Sequence, residues 1–77
     1  MKAIPAELEA KIIEVKSWMM DGDQNEVAKR AGVPKSWVSD VLNRKKYPTG
    51  KILDAAIKVM NENKRRFEIN QSMKIAS

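Results

Sequence analysis

The side chains of this chain best equipped for chemistry are its cations. Residues 27–51 hold Lys29, Arg30, Lys35, Arg44, Lys45, Lys46 and Lys51 against Asp40 alone, a net of +6. Residues 1–26 sum to −3 and residues 52–77 to +2, so the middle third carries more than the whole excess of +5. A window so dominated by one sign attracts a polyanion. The same window places Ser36, Ser39 and Asn43, which donate or accept hydrogen bonds, among the cations. Catalysis is poorly served by comparison. The 77 residues include no His and no Cys, which removes an imidazole base, a thiolate nucleophile and a Cys/His zinc site. The carboxylates form no spaced metal cluster, the three glycines form no phosphate loop, and no base stands beside any serine. No enzyme activity, metal or cofactor is expected.

The elements that must position these groups read as helices. Pro5 to Met20 forms the first, with Leu8, Ile12, Val15 and Met19 on one face, Ile13 and Trp18 widening it, and Gly22 as a left-handed stop. A second begins at Asp23, which with Glu26 fits a capping box, and runs through Val27, Ala28 and Ala31 to Gly32. The third spans Pro34 to Asn43, with Val38, Val41 and Leu42 turned inward and the polar residues turned elsewhere. Pro48 and Thr49-Gly50 end the basic loop that follows. A fourth helix starts between Thr49 and Lys51 and carries Ile52, Leu53, Ala56, Ile57, Val59 and Met60, with Phe67 continuing the spacing. Residues 68–77 carry no strong indication: a short strand, a helix end and disorder all fit. The expected organisation is a domain over 1–67 and a tail over 68–77. No apolar run approaches the 18 residues of a membrane span, and no charged-then-apolar leader opens the chain, so a cytoplasmic protein is expected.

Two short helices joined by a Gly-containing turn, the second polar outside and basic at its end, describe a helix-turn-helix. Ala28 supplies the small residue where the helices cross, and Gly32 supplies the turn. Val33, Val38 and Val41 fill the angle between the two helices. Residues 24–43 resemble the helix-turn-helix of the lambda-repressor-like superfamily. The runs Val27-Ala28-Lys29-Arg30-Ala31-Gly32-Val33 and Val38-Ser39-Asp40-Val41-Leu42-Asn43 are similar to lactose-repressor-type headpieces. Two departures stand out: the sugar-binding domain that follows the headpiece in those repressors is not expected in these 77 residues, and Pro34 holds the place where relatives carry a Ser or Thr cap.

The resemblance implies an all-α domain of four to five helices that binds double-stranded DNA. It puts Lys35, Ser36, Ser39, Asp40 and Asn43 on the groove-facing side, where each can address a base edge. Asp40 is repelled by phosphates unless Arg44 at i+4 clamps it or it accepts from cytosine N4. Gln24, Arg44, Lys45, Lys46 and Tyr47 are assigned to the sugar-phosphate backbone, which positions without reading sequence. Trp37 is expected half-buried, with its indole N–H as a further backbone contact. The implied function is a small phage-type repressor, a homodimer that occupies a two-fold symmetric operator and has no small-molecule effector. Ile57, Met60 and Phe67 are the expected dimer contact. A helix-turn-helix antitoxin that wraps a toxin with its tail, or a recombination accessory protein, are the alternatives.

Overall fold

Periodic apolar residues in four stretches with no strand-like alternation give four helices. A computed structural model of the protein describes residues 3–76, with side chains through Met73. The helices are α1 (Ala6–Ser17), α2 (Asp23–Ala31), α3 (Lys35–Leu42) and α4 (Gly50–Ala76), and the described chain is all-helical. None of them is long and apolar enough to cross a membrane. Ile12 and Val15 of α1, Val27 and Ala28 of α2, and Val38, Val41 and Leu42 of α3 are buried against Ile52, Ala56, Val59 and Met60 of α4. Helices as short as α2 and α3 are not stable in water by themselves, so this shared core holds them. Ile13 is an exception to the expected α1 face. It is exposed, because α1 meets its neighbours only along the Leu8–Ile12–Val15–Met19 side.

Helix ends differ from expectation where tertiary partners intervene. Pro5 and Pro34 are caps just outside α1 and α3 rather than first helical residues. Gly22 is left-handed as expected, at φ 87°, but it caps the start of α2 instead of stopping α1. Asp23 makes no capping box: its carboxylate accepts from the Met20 N–H and from Asn63 Nδ2, each at 2.8 Å. Asn63 Nδ2 also donates to the Trp18 carbonyl at 2.8 Å, so this buried α4 side chain ties down the loop that joins α1 to α2. At the other end of α2, Gly32 is left-handed at φ 70°. Val33 N–H reaches Ala28 O at 3.0 Å and Gly32 N–H reaches Lys29 O at 3.3 Å, a Schellman stop that turns the chain into α3.

Of the three readings left open for residues 68–77, the fourth helix takes the second, a helix end. No Gly or Pro follows Gly50, so nothing breaks it before Ala76 and residues 68–76 are helix rather than a separate tail. From Arg65 to Met73 every side chain is exposed, so this end projects beyond the core and stretches the molecule to 52 Å.

Two ionic clasps hold α4 to the other helices. Arg30 forks onto Glu62 with Nη1 and Nη2 at 2.8 and 3.0 Å and takes Glu26 through Nε at 3.0 Å. Lys64 reaches Glu14 at 3.0 Å, and Lys11 holds the other oxygen at 3.0 Å. Hydrogen bonds from Lys64 and Lys11 keep the Glu14 carboxyl below its ordinary value of 4.5, and the Arg30 fork does the same for Glu62. A lowered carboxylate adds stability that is present above pH 4.5 and is lost as pH falls through the lowered value. Glu62→Gln is therefore expected to melt below the parent protein at pH 7, with the difference closing well below pH 4.5. Thermal melts across that range check it. The pairs are partly exposed, so the shift is small. A gap that persists in acid would show that Glu62 acts through packing instead.

Candidate nucleic-acid interface

An α-helix turns about 100° per residue, which sorts the side chains of α3 by arithmetic. Val38, Val41 and Leu42 fall on one arc and are buried. Lys35, Ser36, Ser39, Asp40 and Asn43 fall within an arc of about 140° on the opposite side. Lys35, Ser36 and Asn43 are exposed, and Ser39 and Asp40 are half-buried. All five expected base-facing residues thus share one outward surface. Trp37 lies between the two arcs and is half-buried against the core, as anticipated.

Electrostatics around this surface follow from how α3 ends. Arg44 N–H bonds to Val41 O at 3.0 Å and Lys45 N–H to Asp40 O at 2.7 Å, which repeats the stop used by α2. The left-handed position here is Arg44, at φ 62°, where glycine is the unstrained choice. The reversal takes Arg44 out of the helical i+4 relation to Asp40 that the expected clamp requires, and that clamp is not formed. Asp40 instead pairs with Lys46 at 3.9 Å, whose ammonium also lies 5.0 Å from the centre of the Trp37 ring. Arg44, Lys45, Lys46 and Tyr47 are all exposed, and they surround a shallow depression with Ala3, Ile4 and Glu9.

The flank of the surface brings in a residue that sequence reasoning missed. Lys16, in the last turn of α1, donates to Asn43 Oδ1 at 2.7 Å. It also lines an open depression of about 360 Å³ together with Gln24 at the start of α2 and Lys35 at the start of α3. Lys16 belongs to the acidic first third of the chain, and nothing local distinguishes it from Lys11, so only the packing of α1 on α3 reveals it. The expected dimer residues, by contrast, do not form one outer surface. Met60 is 1% exposed and sits in the core beside Ile12 and Leu42, so no second chain can reach it. Ile57 is half-buried against the same core. Phe67 is 52% exposed and stacks edge-on against Trp18, with ring centres 5.9 Å apart. Ile69 and Met73 are exposed beyond it, and the Ile75 side chain lies outside the described residues.

Searches of protein families, of curated proteins and of solved structures find no match to this chain.

Proposed function

We propose that this chain is a sequence-specific DNA-binding transcriptional regulator, a small phage-type repressor that acts by occupying its operator. In this reading α2 and α3 form the helix-turn-helix of a lambda-repressor-like domain. One observation carries it: four polar residues of α3 and its C-cap Asn43, all outside the core, share a single outward arc, and that arc is bordered by cations. Lys35, with Gln24 beside it, stands at the start of the arc, Arg44, Lys45 and Lys46 at its end, and Lys16 lies along its side, bonded to Asn43. Such an arrangement suits a helix laid in the major groove, with base edges facing the arc and phosphates at its borders. The strained backbone of Arg44 supports the same reading, since a glycine there would relieve strain but supply no charge.

Selection of bound sites from random duplex DNA tests the proposal directly. Enrichment of a defined sequence supports it; uniform recovery of all duplexes refutes sequence-specific regulation. Binding is expected to weaken steeply with salt, and Lys45→Gln or Lys46→Gln should reduce the logarithmic salt slope by about 1. Titrations of specific and random duplexes at several salt concentrations check this. A variant that altered sequence preference while keeping the full slope would remove these lysines from the backbone role.

The active unit in this reading is a homodimer, because one recognition helix spans too few base pairs to select an operator. With Met60 buried and Phe67 turned to Trp18, the contact falls on Ile69 and Met73, which share the other face of the projecting helix. Sedimentation at micromolar concentration is expected to show a dimer that Ile69→Ala combined with Met73→Ala weakens. A parent protein that stays monomeric on a two-fold symmetric site would refute it. The exposed apolar residues of that helix also favour a second reading, an antitoxin whose C-terminal helix engages a toxin. A protein co-purifying in stoichiometric complex through residues 65–73 would support that reading.

A further inference from the structure

We infer that Lys16 is a positioning residue that makes Asn43 a hydrogen-bond donor to DNA and so selects guanine over adenine. The inference rests on the DNA-binding reading above. Lysine has donors only, so the Asn43 atom 2.7 Å from Lys16 Nζ is the carbonyl oxygen, and this contact settles which way the amide faces. On the other side, Asn43 Nδ2 lies 3.4 Å from Ser39 Oγ, at the long limit of a hydrogen bond. Its second N–H has no partner among the described residues.

Unrestrained asparagine reads adenine with both ends, accepting from N6 and donating to N7. That pairing brings the N6 donor of adenine up to Oδ1, where the Lys16 ammonium, itself a donor, already holds one of the two lone pairs and repels it. What remains is a pair of donors side by side, the free Asn43 N–H and the unused N–H groups of the Lys16 ammonium. Guanine is the base whose major-groove edge offers two adjacent acceptors, N7 and O6, and it matches this pair. Lys16 reaches the site from α1 and both residues are exposed, so the pairing can be altered without disturbing the core.

The test compares the parent protein with Lys16→Met, Lys16→Arg, Asn43→Ala and the Lys16→Met/Asn43→Ala pair. Each is taken through site selection on random duplexes and then titrated against duplexes carrying guanine or adenine at the enriched position. The parent and Lys16→Arg are expected to prefer guanine. Lys16→Met frees Oδ1 and should move the preference toward adenine by roughly tenfold. That shift should vanish in the Asn43→Ala background. If Lys16→Met weakens every duplex equally and keeps the same preference, Lys16 is a phosphate contact and the inference is overturned while DNA binding stands. If the parent protein enriches no sequence at all, the DNA-binding reading falls and takes this inference with it.

Discussion

Val38→Asp is expected to leave the chain unfolded at neutral pH. Val38 is 0% exposed and belongs to the core that all four helices share. A carboxylate there either stays charged without a partner, at a cost of several kcal/mol, or takes a proton and remains a poorly bonded polar group. The burial lost with the valine is worth about 1.5–3 kcal/mol more. Domains are held by roughly 0.05–0.15 kcal/mol per residue, which for a chain this short is about 4–12 kcal/mol in total. The substitution therefore removes most or all of the available stability. Far-UV circular dichroism and a thermal melt measure it. Ser36→Ala provides the contrast: two residues away and on the exposed arc, it should stay within about 0.5 kcal/mol of the parent. If Val38→Asp melted cooperatively near the parent temperature, the assignment of inner and outer faces on α3 would be wrong. Every statement about groove-facing residues would fall with it.

The second large effect is expected at Asn63, a residue the apolar spacing of α4 does not single out. It is 4% exposed, and its amide donates to both the Asp23 carboxylate and the Trp18 carbonyl. Asn63→Ala removes both bonds and should cost about 1–3 kcal/mol. Asn63→Asp is nearly identical in shape and should be worse, by about 3–5 kcal/mol at pH 7. It sets one carboxylate against another and against a carbonyl, with no donor between them. Its pH dependence has a distinctive sign. Protonating the new carboxyl restores one donor, so the folded-state value is raised and the penalty shrinks as pH falls. Acid should thus narrow the gap between Asn63→Asp and the parent protein, and melts at pH 7 and pH 4 measure it. A penalty that does not change with pH would mean the Asp23 contact contributes little. The same variant should loosen the start of α2, and with it Gln24, so DNA affinity is expected to fall alongside stability.

The residues explain why some of this was legible in sequence and some was not. The core positions Ile12, Val15, Val27, Val38, Val41, Leu42 and Ile52 follow from apolar spacing, because a helix of known pitch determines which neighbours share a face. Gly32 and the stop of α2 follow from the left-handed conformation that glycine tolerates. The outward placement of Lys35, Ser36 and Asn43 is the complement of the same spacing. These are local consequences of backbone geometry, and the sequence determines them without help. Contacts between residues far apart in the chain are different. Asn63 meets Asp23 across 40 positions, Lys16 meets Asn43 across 27, and Arg30 meets Glu62 across 32. Each depends on crossing angles set by the whole core, which no window of sequence contains. Tertiary packing drew Asp23 away from the expected capping box, and the left-handed turn at Arg44 handed Asp40 to Lys46. Packing also decided which side of a broadly apolar helix is inside. Met60 and Phe67 share a side of α4, yet Met60 is buried and Phe67 exposed, because the helix runs past the last residue the core can cover.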